Sequence, residues 1–224
     1  MNVKISASLL GAELSELGRE AVRAKESGSD WIHFDVMDGR FVENISFGSS
    51  IQQAISKKGD FFFDTHLMVN RPDQQLGYFI KSGSKMITFH IESESDADHT
   101  VNMIHRAGLM AGIAIKPSTP AESVFPFLEK LEMVLVMTVE PGYGGQGFLN
   151  YTLPKIKQIR ERANEVRPSL MIEVDGGINA DTAPLVIEAG ADVLVSGTYL
   201  FGADDMKKAV QALKNYPNFS YKSF

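Results

Sequence analysis

The feature that most constrains this chain is an alternation. Short runs of β-prone apolar residues recur at roughly even spacing, and stretches of helical periodicity fill the intervals. VKISAS from Val3, DWIHFDVM from Asp30, FFFDTHLMV from Phe61, MITFHI from Met86, AGIAIK from Ala111, MVLVMTV from Met133, LMIEVD from Leu170 and DVLVSG from Asp192 read as eight strands. Between them, Leu14, Leu17, Ala21 and Ala24 recur at three- and four-residue steps, as do Ile156, Ile159 and Ala163, which is the mark of an amphipathic helix. Four helical stretches run into a similar phrase before the next strand: ESGSDWI, KSGSKMI, RAGLMAG and EAGADVL. Each supplies a glycine where a helix C-terminus wants a left-handed residue. Runs such as MVLVMTV, apolar on both faces, suit a parallel strand covered on both sides. Eight βα units close into a single-domain (β/α)₈ TIM barrel, and 224 residues is enough chain for one. An open doubly wound sheet is the alternative, but the first βα turn, SASLLGAEL, lacks a GxGxxG fingerprint and polar residues gather at the ends of many strands. No linker divides 1–224, so one domain is expected, with 215–224 (NYPNFSYKSF) a C-terminal tail packed on the barrel or on another subunit.

The chain contains no cysteine. That removes disulfides, thiolate zinc sites, iron-sulfur clusters and a cysteine nucleophile, and leaves His nitrogens and carboxylate oxygens as the only metal ligands. The formal net charge is −6, and no basic run exceeds the pair Lys57 and Lys58, so there is no electrostatic footprint for nucleic acid. The start, MNVKISASLL, is too short an apolar run for a secretory segment, and no later run approaches the roughly 20 apolar residues of a membrane span. The expectation is a cytoplasmic protein that acts on small molecules, with neither nucleic acid nor membrane as partner.

A barrel builds its active site at the C-terminal ends of its strands. In HFDVMDG the two-residue period of a strand puts His33, Asp35 and Met37 on one face, and in DTHLMV it puts His66 with Met68. With Asp175 at the end of EVD, the residues His33, Asp35, His66 and Asp175 make an N₂O₂ set suited to a divalent cation such as Zn²⁺ or Fe²⁺, with positions left for a substrate. Asp38, out of phase with Asp35 and followed by Gly39, reads as a turn residue, and His99 and His105 as helix-surface residues. His90 ends strand 4 near the pocket; a place behind the ligands and plain packing both fit it. Periodicity alone reads Met37, Met68 and Met137 as core filler. A second constellation is glycine-rich: PGYGGQGF, DGGI and SGTYLFG bring Gly142, Gly144, Gly145, Gly176, Gly177, Gly197 and Thr198 to three consecutive strand ends. Backbone N–H groups approach an anion closely there, so a phosphorylated substrate is expected, with PGYGGQGF long enough to act as a lid.

These phrases together resemble the ribulose-phosphate 3-epimerase family, through SASLL, DWIHFDVMDGRFVENISFG, DTHLMV, TFH, IKPST, VLVMTVEPGYGGQGF, EVDGGI and VSGTYLFG, from about Ile5 to Gly202. The resemblance implies a (β/α)₈ barrel binding one divalent metal ion per chain through His33, Asp35, His66 and Asp175. Zn²⁺ or Fe²⁺ comes first, and Mn²⁺ or Co²⁺ next. It makes Asp35 and Asp175 the acid/base pair that epimerises C3 of D-ribulose 5-phosphate to give D-xylulose 5-phosphate, in the pentose phosphate pathway. It places Ser8 and His66 at the substrate, sets Met37, Met68 and Met137 over the reacting carbons against the core-filler reading, and brings Gly144, Gly145, Gly177, Gly197 and Thr198 near the phosphate. A homo-oligomer, dimer or hexamer, goes with it. Three positions depart from the pattern: Ala7 for a common Pro before Ser8, Glu43 where FVPN is usual, and Tyr199 for a small residue. These bear on substrate preference and loop stiffness, and the alternative substrate is D-allulose 6-phosphate.

Two readings of other classes compete. Lys116, at the end of strand 5, could serve a Schiff-base aldolase, though such an enzyme has no need of two His beside two Asp. A non-catalytic sugar-phosphate-binding barrel would be expected to have lost one of the four ligands, and all four are present.

Overall fold

A computed structural model describes residues 3–215. Its strands are β1 (Lys4–Ser8), β2 (Trp31–Met37), β3 (Phe63–Met68), β4 (Ser84–His90), β5 (Met110–Ile115), β6 (Met133–Met137), β7 (Met171–Asp175) and β8 (Val193–Ser196). Each pairs in parallel with the next, and β8 pairs with β1 to close the barrel. The helices are α1 (Leu17–Glu26), α2 (Ser49–Ser56), α3 (Pro72–Lys81), α4 (Ala97–Arg106), α5 (Leu153–Val166), α6 (Ala183–Ala189), the one-turn α7 (Thr198–Phe201) and α8 (Met206–Lys214). The tail expected over 215–224 lies outside the described residues beyond Asn215.

Strand periodicity divides the core. On β2, Ile32, Phe34 and Val36 join the large apolar cluster between strands and helices, which also takes Ala21 and Ala24 of α1 and Ile156, Ile159 and Ala163 of α5. The alternate residues point into the barrel. Its floor is apolar, formed by Trp31, Met86, Met133 and Val193. Two residues further along β2 and β4, His33 and Thr88 are polar and fully buried, with Ser6, Asp64 and Glu173 on the neighbouring strands equally buried. Branched apolar residues usually fill such a layer, so this chain holds polar groups at a depth where each needs a partner.

All four glycines expected at helix ends, Gly28, Gly83, Gly108 and Gly190, have positive φ between 76° and 112°. Two expectations need correction. The first helix starts at Leu17, because Leu14 sits in a separate 3₁₀ turn and is 55% exposed. The fifth βα unit has no α-helix: its connection is a 3₁₀ segment, Ala121–Phe127, with Pro126 inside it. Proline lacks an N–H and its ring clashes with the preceding turn, which blocks an α-helix there.

Candidate active site

The strand register assembles the mouth of the barrel. Asp35 of β2 lies opposite His66 of β3, Met37 opposite Met68, and Met137 of β6 opposite Asp175 of β7, while Ser8 of β1 faces His33. One potential ligand atom from each of His33, Asp35, His66 and Asp175 falls within 4.8 Å of the others. Asp35 Oδ1 is 3.2 Å from both His33 Nε2 and His66 Nδ1, and Asp175 Oδ2 is 3.7 Å from the same two nitrogens. Ser8 Oγ donates to Asp35 Oδ2 at 2.8 Å.

Each histidine is held from behind. His33 Nδ1 lies 2.6 Å from Asp64 Oδ2, which also accepts from Ser6 Oγ at 3.0 Å. His66 Nε2 lies 2.9 Å from His90 Nε2, and His90 Nδ1 lies 3.0 Å from Glu92 Oε2. Burial, only partly offset by Glu92, takes the His90 pKa down to about 4 and keeps this ring neutral. With Nδ1–H donating to Glu92, its Nε2 accepts from His66 Nε2–H, which leaves the lone pair of His66 Nδ1 turned toward the two aspartates. Glu92, held at about 2 against its burial by these contacts, anchors the chain of bonds through Lys116 N and Thr119 Oγ1. His90 therefore stands directly behind a ligand position, one of the two places the sequence leaves open.

The charge balance of the cluster calls for a cation. Burial raises the Asp175 carboxyl and the neighbouring charge of Asp35 adds to it, pushing it up to about 6. Burial opposes Asp35 as well, but the charge of the His33 ring overrides it and holds that carboxyl well below the usual range. His33 would lose its charge on burial alone, yet Asp35 and Asp64 draw positive charge into the ring and raise its pKa well above 6.5. Buried His33 Nε2 has no hydrogen-bond partner among the described residues. Two imidazole nitrogens and two carboxylates around one point form a donor set that fits a divalent cation.

A pocket opens above this cluster. Ser8, Asp35, Met37, Met68, Met137 and Asp175 line its base, and every glycine expected near the phosphate, together with Thr198, lines its wall. His66 is fully buried and does not line this pocket. No Lys or Arg is among the lining residues. Gly197 has a φ of −109°, so it adopts no left-handed conformation; instead Gly11, which the sequence reading passed over, lets the two loops meet, since a Cβ there would lie 2.5 Å from Thr198 N. In the segment expected to be a lid, Gln146 Nε2 donates to the carbonyls of Glu140 and Tyr143, and Asn44 Nδ2 donates to that of Gly142.

The remaining candidates lie elsewhere. Asp38 accepts from the backbone of Arg40, Phe41 and Asn70, as a turn residue does. His99 is exposed on α4 and His105 bonds Glu132. Lys116 Nζ sits 4.1 Å from the centre of the Phe41 ring, in a cleft beside the pocket. Asp64 and Glu173 were missed. Both share a strand face with a recognised ligand, two residues before His66 and Asp175, so the two-residue period already pointed at them.

The model of the ribulose-phosphate 3 epimerase family matches residues 4–201. The ribulose-phosphate 3-epimerase of Bacillus subtilis (strain 168) is 41% identical over 213 residues, covering 95% of this chain and 98% of that one. The ribulose-phosphate 3-epimerase of Schizosaccharomyces pombe is 39% identical over 218 residues, with 96% and 94% covered. A crystal structure of 3-hexulose-6-phosphate synthase aligns with a TM-score of 0.66 at 17% identity over 96% of this chain and 98% of that one, a likeness of fold alone. With the family's model matched across the whole barrel and relatives this similar over nearly their full length, the chain belongs to the ribulose-phosphate 3 epimerase family.

Proposed function

We infer that this enzyme is a ribulose-phosphate 3-epimerase, which interconverts D-ribulose 5-phosphate and D-xylulose 5-phosphate in the pentose phosphate pathway. The observation that carries the reading is the pair Asp35 and Asp175. They enter the pocket from β2 and β7, with β1 and β8 between them, and their carboxyl pKa values are shifted in opposite directions, Asp35 down and Asp175 up to about 6. Inverting a carbon beside a ketone takes one group to remove a proton and another to return one on the opposite face. In one direction, ionised Asp35 takes the proton from C3, the electron pair moves into the C2–C3 bond, and the carbonyl π electrons move to O2 to give the enediolate. Protonated Asp175 then delivers its proton to C3 from the other side, and the C2 carbonyl reforms. The reverse reaction exchanges the roles. Ser8, donating to Asp35 Oδ2, keeps that carboxylate turned to the pocket.

His33, Asp35, His66 and Asp175 would hold a divalent cation, which supplies Lewis acidity toward the oxygens that gain charge in the enediolate. Two imidazoles with two carboxylates favour Zn²⁺ or Fe²⁺, and then Mn²⁺ or Co²⁺. Met37, Met68 and Met137 give the reacting carbons an apolar, polarisable wall that keeps water away. The phosphate goes to backbone N–H groups of the glycine-lined wall and the start of α7. A Lys116 Schiff base is disfavoured because the ammonium lies over Phe41 and outside this pocket.

The same proposal sets the enzyme in the cytoplasm, since a charged sugar phosphate stays in the compartment that makes it. Among the described residues, no helix is long and apolar enough to cross a membrane. Assembly as a dimer or hexamer is supported by exposed apolar side chains such as Ile45 and Tyr78, and one domain over 1–224 completes the reading. Assaying the purified chain on D-ribulose 5-phosphate and on D-allulose 6-phosphate, with elemental analysis of the same preparation, tests it. Higher kcat/KM on the pentose and about one divalent ion per chain are expected; preference for the hexose, or full activity without metal, contradicts it.

A further inference from the structure

Beneath the four ligand positions lies a polar cluster that the reaction does not use. Asp64 and Glu173 are fully buried on inward faces of β3 and β7, and with His33 they bring one ligand-type atom each within 4.8 Å of the others. Asp64 Oδ2 is engaged twice, by Ser6 Oγ at 3.0 Å and by His33 Nδ1 at 2.6 Å. Asp64 Oδ1 and both oxygens of Glu173 find no donor among the side chains and backbone described. Buried polar atoms are nearly always satisfied. A short bond from His33 Nδ1 to Oδ2 closes that side of the ring and leaves no room for a second cation there.

We propose that Asp64 is the positioning residue for the cation site: it fixes the tautomer and angle of His33, and Ser6 donates the hydrogen bond that holds Asp64 in place. The proposal rests on the reading of His33 as a ligand. An imidazole presents a lone pair at Nε2 only when Nδ1 carries the proton, and a buried carboxylate accepting that N–H sets the tautomer and raises the basicity of the ligand nitrogen. An amide at position 64 does not carry the charge that faces His33, whereas Glu173 makes no hydrogen bond to Asp64 or to His33, so a side-chain amide in its place leaves His33 held as before.

The test is the Zn²⁺ dissociation constant of the metal-stripped full chain, measured by competition with a chromogenic chelator at fixed pH, with the ion count per chain. The parent chain is expected to bind one ion, Asp64→Asn to bind it at least about 10-fold more weakly, and Glu173→Gln to stay within about threefold of the parent. If Asp64→Asn does not fold, Ser6→Ala replaces it, with about a fivefold weakening from the lost hydrogen bond. Unchanged affinity in Asp64→Asn, or in Ser6→Ala where that variant stands in, overturns the positioning role alone. So does a loss in Glu173→Gln as large as that in Asp64→Asn, or a second ion in the parent that Glu173→Gln removes. A parent chain that binds no ion overturns the reading of His33 as a ligand, and this proposal with it.

Discussion

Asp35 and Asp175 are the same side chain at the mouth of the same barrel, and their surroundings make opposite acids of them. The His33 ring outweighs the burial of Asp35, whereas at Asp175 the charge of Asp35 adds to the effect of burial. Replacing either by Asn removes a proton-transfer group from one face of the sugar. Asp35→Asn and Asp175→Asn are each expected to lower kcat by about 10³-fold or more in the steady-state assay, and near-parent turnover in either contradicts the assignment. The same surroundings give cation binding a pH dependence. His33, whose pKa burial would lower but Asp35 and Asp64 raise well above 6.5, holds a proton that the cation must displace. Affinity therefore increases with pH, by about tenfold per unit for each proton released. A dissociation constant that stays flat from about pH 5 to pH 8 contradicts this. The ligands were legible because HFD and TH keep step with the two-residue period. Depth in the barrel is set by the stagger between strands, so the roles of Asp64 and Glu173 behind them were not. The buried position of His66 escaped the sequence for the same reason.

At the scale of the element, strands were read well where both faces are apolar, and helix ends where a glycine marks them. Gly83, after α3, shows what such a residue contributes. Its φ is +100°, and an added Cβ would meet only the side chain of Ser56, with its Cβ at an ordinary 3.6 Å and its Oγ at 4.0 Å. Gly83→Ala thus isolates backbone conformation from crowding and is expected to cost about 1 kcal/mol. The check is a urea unfolding curve with a lower midpoint and an unchanged slope; an unchanged midpoint contradicts it. Helix starts were less legible. Leu14 keeps the helical period of α1 without joining the helix, because periodicity records which residues could share a face and not where the backbone begins to turn. In the fifth unit, Pro126 was in plain view, and its effect on the connection followed from its missing N–H.

Across the whole molecule, the barrel is layered by chemistry: an apolar floor, a buried polar layer, then ligands and carboxyls at the mouth. The outer shell and the closure of the sheet were legible from alternation alone, since eight βα units with apolar outer faces have few other ways to bury them. Among the described residues the pocket wall holds no Lys or Arg, so on the proposed reading neutral backbone N–H groups receive the phosphate. The measurement that tests the central claim most directly is turnover of D-ribulose 5-phosphate in D₂O, followed at C3 by NMR from the earliest product. With Asp35 removing the proton and a solvent-equilibrated Asp175 returning another, the first D-xylulose 5-phosphate formed is expected to carry deuterium at C3 while unreacted substrate keeps its hydrogen. Product that retains the substrate's own C3 hydrogen would contradict the two-carboxylate mechanism.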